Sequence, residues 1–353
     1  MHVDVLIIGQ GISGTFLSYF LLKKGKSVIV IDDAKKNSPS RIAAGVINPV
    51  TGRRMVQVWM ADEVMQFAWN KYKEIGNLLQ QDCISKKNVI DFFSNPFMRE
   101  NFIKRVQEKD DHLKLHESPN PQFSSNFQFD FGYGEIQPVY LAQMDVILTA
   151  WRKKLKDEGC LMEEEFKSEE LKTDDNKVQY HNIHAETVIF CDGPESFNSK
   201  YFNSLPFAPN KGEALIVNIP NLPPDHIYKK TLLLAPLIEQ DHFWAGSNYL
   251  WNFEDELPSE VFRQKTEQQL KEWLRIPFTV VDHVAGIRPA TIERRPFVGM
   301  HPKFQRVGIL NGMGTKGCSL APYFANQLCN HLVDGDPIMQ EANIARFRNV
   351  LSR

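Results

Sequence analysis

Val3-Asp4-Val5-Leu6-Ile7-Ile8-Gly9-Gln10-Gly11-Ile12-Ser13-Gly14 is an apolar run that ends in a turn of spaced glycines. A helical pattern over residues 15–24 leaves the turn. A second apolar run, 28–31, then closes on Asp32. The order is strand, glycine turn, helix, strand, acid. Gly9 permits the tight turn, Gly11 lets backbone approach a pyrophosphate, and Gly14 lets helix and strand pack closely. The free N–H groups at the helix start favour negative charge. Asp32 stands where a carboxylate accepts hydrogen bonds from ribose hydroxyls, and a 2′-phosphate would be repelled there. Four features agree in order and spacing, so the segment predicts a dinucleotide site in an α/β fold. It leaves FAD and NAD both open.

Outward from this unit, the 353 residues suffice for about two domains of roughly 150 each. A net charge of −2 gives no global field for nucleic acid or anionic lipid. Five scattered cysteines with no CxxC pair suggest reduced thiols in a cytoplasmic protein. The ten histidines show no metal-ligand spacing. No run approaches the ~18 apolar residues of a membrane span, and the N-terminal apolar run lacks the positive flank of a signal peptide.

Residues 43–54, rich in small residues and ending in Arg53-Arg54, suit an extended loop close to a ligand. Residues 61–80 predict a helix with Val64, Phe67, Ala68, Tyr72 and Ile75 on one face. Residues 83–131 read as short strands and loops, with a turn region over 119–126. A turn is expected over 132–138 and a helix over 139–155, whose basic Arg152–Lys156 stretch reads as a solvated face. Strands are expected at 161–166, 177–181, 187–190, 214–218, 231–234 and 242–245, and helices at 259–274 and 320–334. The strand at 187–190 ends in Cys191-Asp192-Gly193, as a doubly wound sheet returning to its crevice would. The closing segment runs from Gly286-Ile287-Arg288-Pro289 to Asn311-Gly312-Met313-Gly314-Thr315-Lys316-Gly317.

The N-terminal unit, the arginine loop and this glycine loop entering a helix stand in one order. Together they resemble the D-amino-acid oxidase-like flavoprotein family, which includes glycine oxidase and sarcosine oxidase. The resemblance is sharpest at 5–54, 186–193 and 286–323. It implies non-covalent FAD and a Rossmann-like FAD-binding domain (1–60, 138–200 and 285–353). Interleaved with it would be an α+β substrate domain built on an antiparallel sheet (61–137 and 201–284). Carried over, it puts Gly9, Gly11, Ile12, Ser13 and Gly14 at the pyrophosphate and Asp32, with Asp33 beside it, at the adenosine ribose. Ser40 and Arg41 would lie by the phosphates, and Ala43, Ala44 and Gly45 by the isoalloxazine ring. Phe166 would meet adenine through its backbone. Cys191 and Gly193 close the crevice, and Gly312, Met313, Gly314, Thr315 and Lys316 face the flavin.

Arg288 matches the arginine that holds the substrate carboxylate in amino-acid oxidases of the family, and Lys316 a lysine used for the same purpose in sarcosine oxidase-like members. Physics concurs, because a planar guanidinium grips a carboxylate bidentately. Two departures stand out. Asp192 occupies a place the family fills with a small uncharged residue, so its side chain is expected to point away from the phosphates. Thr315 stands where glycine oxidase-like members carry arginine, which argues against glycine as the specific substrate. The resemblance implies oxidation of a small-molecule amine or amino acid at its C–N bond, with oxygen or another acceptor taking the electrons. A flavoprotein acting on a modified tRNA base, an NAD-dependent dehydrogenase and a non-catalytic flavin-binding protein are the competing readings. Trp59, Tyr249 and Trp251 are candidate roof residues, and His283 reads as a strand residue.

Overall fold

The structure, a computed structural model, describes residues 1–352 apart from Lys109, Pro119, Asp175 and Asn176. Its first sheet carries five parallel strands in the order Leu161–Met162, Val28–Ile31, His2–Ile8, Ile183–Phe190 and Val307–Asn311. From His2–Ile8 the chain first winds outward one way, then returns to the other side. The carboxyl end of that strand is therefore a topological switch point, where open α/β sheets bind ligands. Alternate residues feed two cores. Val5 and Ile7 pack with the helices Ile12–Lys23, Ala61–Leu79, Met144–Asp157 and Gly317–Asp334, while Leu6 and Ile8 pack with Phe190, Tyr201 and Phe202. Burial on both faces explains why the strand reads as one apolar run.

A second sheet runs Thr279–Arg288, Asn210–Asn218, His242–Gly246, Leu233–Pro236, Ile227–Lys229, Val89–Phe92, Tyr133–Ile136, Leu113–Leu115. Its pairings are antiparallel except Ile227–Lys229 against Val89–Phe92. One face, with Leu215, Val217, Leu234, Phe243 and Phe92, packs on the helix Glu260–Trp273 through Phe262, Leu270 and Trp273. Ser259 caps that helix by accepting from Phe262 N (3.3 Å). The other face, with Gly212, Ala214, Gly246, Val284 and Gly286, fronts a cavity.

Several local expectations are corrected. Residues 139–155 do not form one helix: Tyr140–Ala142 is a strand between Val46–Ile47 and Ile84–Lys86, and the helix begins at Met144. The segment 132–138 is not a turn, because Tyr133–Ile136 enters the second sheet between two strands. Gly134 there is a contact glycine, since a Cβ would lie 2.3 Å from the Phe102 ring. Residues 83–131 hold a full helix, Pro96–Gln107, whose Asn95 cap accepts from Met98 N (3.0 Å). Pro96 marks its first turn, where proline is tolerated, rather than a loop. Pro119, where the expected turn region began, lies outside the described residues, and Pro121–Asn126 is a short helix. The 161–166 strand stops at Met162. Among the described residues no helix is long and apolar enough to cross a membrane.

Candidate active site

The cavity, of about 910 Å³, lies between the carboxyl ends of the first sheet and the open face of the second. Gly9, at φ +96°, starts it, and its N–H donates to Ile31 O (2.8 Å). A Cβ on Gly9 would lie 2.7 Å from Cys191 O. Gly11 is the N-cap of the first helix. The Ile12 N–H is met by Ser40 Oγ (3.0 Å), so that donor is shared with a hydroxyl at the cavity wall. Ser13, Asp32, Asp33, Ser40, Arg41, Ala43, Ala44, Gly45, Phe166, Cys191, Gly193, Met313, Gly314, Thr315 and Lys316 also line the cavity. Two expected contacts do not. A Cβ on Gly14 would fall 1.9 Å from Gly9 O, and one on Gly312 would fall 2.7 Å from Thr291 Cγ2. Both glycines therefore serve packing behind the wall.

Asp32 is more constrained than its sequence position suggests. Its Oδ2 accepts from Gln10 N (2.7 Å), and its Oδ1 from Ala34 N (2.8 Å) and Arg152 Nη1 (2.6 Å). Arg152 also donates to Asp32 O (2.9 Å) and Glu163 Oε1 (3.3 Å). The expectation of a solvated face fails at Arg152, whose side chain is only 14% exposed. Nothing local marks it, because its partner is 120 residues away. Truncating Arg152 to methionine is expected to weaken FAD binding about tenfold by leaving the Asp32 carboxylate at the cavity wall without its cation. Titration of apoprotein with FAD by flavin fluorescence checks this.

Asp192 lines the cavity and is held by the Ser196 hydroxyl, which donates to Oδ1. Ser196 is in turn bonded by Asn311 Nδ2 (3.0 Å), which also donates to Gly193 O (2.8 Å). Burial pushes the Asp192 carboxyl up to about 7, against the opposing Ser196 bond. The side chain therefore lines the cavity, where it was expected to turn away, and burial favours its neutral form. Burial also holds the Cys318 thiol at about 12 and the Cys191 thiol well above its usual value, so neither is a nucleophilic thiolate.

At the other end lies Arg288. Nη1 donates to Asn210 Oδ1 (2.9 Å) and Asn248 O (3.1 Å), and Nη2 to Ser247 Oγ (3.0 Å). The Tyr249 ring stacks 4.8 Å from the guanidinium carbon. Ser247 to Tyr249 bulge outward because Gly246 pairs with Ala214 while Leu250 rejoins the same strand at Lys211. Gly212 leaves the space the guanidinium fills, since a Cβ there would lie 1.9 Å from Nη2. No carboxylate pairs with Arg288 among the described residues. Burial lowers its pKa, yet an arginine stays charged. Among the described residues Nε–H and one Nη2 hydrogen have no partner and are available to an anion.

Lys316 is equally bare. Its Nζ donates to Asn48 Oδ1 (2.9 Å), and burial pushes it down to about 8. Of the aromatic candidates, Tyr249 lines the cavity; Trp59 instead stacks on Phe324 and Arg295, and Trp251 is exposed away from the wall. Arg53 and Arg54 are exposed on a hairpin whose Thr51 and Gly52 reach the cavity. His283 is a strand residue turned to the other face, 3.2 Å from Glu213 Oε2. Among the described residues there is no cluster that would hold a metal.

The profile of the family described as FAD dependent oxidoreductase matches residues 4–330. Among solved structures, the chain is similar to glycine oxidase from Bacillus cereus (TM-score 0.80, 15% identity, 99% of each chain covered). It is likewise similar to iminodiacetate oxidase from Chelativorans sp. BNC1 (0.78, 16%, 98% of each chain). L-proline dehydrogenase from P. horikoshii follows (0.76, 16%, 99% of this chain and 98% of that one). At these identities the likeness is one of fold.

Proposed function

The chain belongs to the FAD dependent oxidoreductase family, and on that premise we propose that it oxidises the C–N bond of an amine or amino acid. The cavity suits FAD: the glycine-walled turn, the switch-point crevice and the Asp32 carboxylate match the group's phosphates and ribose. Gly9, Gly11, Ile12 and Ser13 would hold the pyrophosphate, with Ser40 and Arg41 beside it. Asp32 and Asp33 would take the ribose side and Phe166 the adenine. Ala43, Ala44, Gly45 and residues 313–316 would frame the ring. Binding is non-covalent in this reading, since the cavity's cysteines are unreactive. FAD, when bound, supplies the hydride acceptor.

The observation that carries the proposal is Arg288, a preorganised guanidinium that lines the cavity with donors to spare and has no carboxylate partner among the described residues. It would grip the substrate carboxylate in a fixed pose, and Tyr249 would keep water from that ion pair. The substrate's neutral amine lone pair assists hydride departure. The resulting imine hydrolyses to an oxo acid or aldehyde. No dedicated acid–base residue is required, and Lys316 would add a second cation for the carboxylate.

Lys316 makes this reading pH-sensitive. The free enzyme's kcat/KM is expected to fall above about pH 8, as Lys316 loses its proton and with it the attraction for a carboxylate. The Lys316→Met variant should lose that descending limb and keep the rising limb set by the substrate amine. A limb unchanged in the variant assigns it elsewhere.

The decisive experiment is an absorbance spectrum of purified protein, followed anaerobically as amines, D- and L-amino acids and hydroxy acids are added. Bleaching of the oxidised flavin bands by amines alone is expected. Bleaching only by hydroxy acids would move the reaction to C–O bonds and overturn the proposal.

A further inference from the structure

One charged pair on the cavity floor has no part in the account above. Val284, Ala214, Gly246, Leu233 and Lys229 are successive cross-strand partners in the second sheet, and all five line the cavity. Directly opposed residues share a face, so the Lys229 side chain rises from that floor. Its next partner across the sheet is Asp91, which is fully buried. Lys229 Nζ donates to Asp91 Oδ2 (2.6 Å), and Asp91 Oδ1 has no hydrogen-bond partner among the described residues. The carboxylate thus fixes the ammonium from the neighbouring strand through one of its three donors. The Lys229 side chain keeps 27% of its surface open, beside the apolar Leu232 and Leu233.

We infer that Lys229 binds a second carboxylate of the substrate, which makes the substrate class an amino acid bearing a further acid at the end of a short chain. The inference rests on the proposed C–N oxidation and on Arg288 holding the first carboxylate. The guanidinium reaches over Gly212 to the residues that follow His242–Gly246. Only the strand Leu233–Pro236 then separates it from the strand of Lys229. At ~4.8 Å per strand, with a two-residue offset along the strands, the two cations stand roughly 10–15 Å apart. Two acid groups joined by a few carbons, each at hydrogen-bond distance from its cation, bridge such a gap. A neutral side chain would screen the ammonium from water and give its two remaining donors no acceptor in return, a costly arrangement.

The test is stopped-flow, anaerobic flavin reduction with matched pairs: glutamate and aspartate against glutamine and asparagine, and N-(carboxyalkyl)glycines against N-alkylglycines. The first set places the second acid on the side chain, the second on the nitrogen. In one of them the acidic member should exceed its neutral partner about thirtyfold or more in kcat/KM. The Lys229→Gln variant should collapse that ratio to near one. Because it strands buried Asp91, the Asp91→Asn/Lys229→Gln pair, which can retain a hydrogen bond, is measured beside it and should show the same collapse. Neutral partners reduced as fast as acidic ones by wild type, or a ratio unchanged in both variants, would leave Lys229 a structural pin and overturn the inference while C–N oxidation stands. Reduction by no amine at all would instead sink the C–N reading, and this inference with it.

Discussion

Replacing Arg288 with leucine is expected to lower kcat/KM for a carboxylate-bearing amine by roughly 10²–10³, about 3–4 kcal/mol, and to leave FAD binding intact. The size follows from preorganisation. Asn210, Ser247 and Asn248 hold three of the five N–H groups, and Tyr249 covers the guanidinium plane, so a bound carboxylate orders nothing further. Lysine at 288 restores charge without the fork and should recover only part of the loss. Gly212 offers a test that keeps the arginine. A methyl there would occupy the space of Nη2, so Gly212→Ala must push the guanidinium aside. It should reproduce most of the leucine defect with no change of charge. Simple amines without a carboxylate supply the contrast, because neither variant should slow them comparably. If both variants slow acids and simple amines alike, Arg288 shapes the cavity and does not bind the carboxylate.

What the sequence made legible was chemistry written in contiguous residues. The Gly9–Gly14 turn declares itself because strand, turn and helix occupy one short segment, and the loop through Gly314 does so because glycines lead straight into a helix. Arg288 was visible through its Gly-x-Arg-Pro context. The supports of these residues were not. Arg152 meets Asp32, and Arg288 meets Asn210 and the 247–249 bulge, across folds of chain that no periodicity reports. Asp91 and Lys229 are partners in a single parallel pairing, 138 residues apart. Polar residues on a half-open sheet face read as ordinary alternation, so Lys229 carried no local signal. The Tyr133–Ile136 strand was hidden between Gly132 and Pro138, whose turn signals are real but flank the strand rather than replace it.

Gly14 and Gly11 separate two demands that one motif imposes. Helix propensity alone would reward Gly14→Ala by about 1 kcal/mol. The tertiary contact reverses the sign. The new methyl would sit 1.9 Å from the Gly9 carbonyl oxygen, and Gly9 is itself tied to the next strand by its N–H, which donates to Ile31 O (2.8 Å). Overpacking of this kind costs about 1–3 kcal/mol, and here it also displaces the turn proposed to hold the phosphates. Gly14→Ala is therefore expected to lower the melting temperature of the apoprotein by several degrees and to yield colourless protein on purification. Gly11→Ala meets only the Ser40 hydroxyl, at 3.0 Å, a group that can rotate away. Its apoprotein should melt near wild type, yet in the proposed binding mode its methyl would crowd the pyrophosphate, so FAD affinity should fall. Calorimetry of both apoproteins, paired with FAD titration, reads the two effects apart. Equal melting temperatures for the two variants would mean that Gly14, like Gly11, acts on the cofactor and not on the packing of the first helix against the first strand.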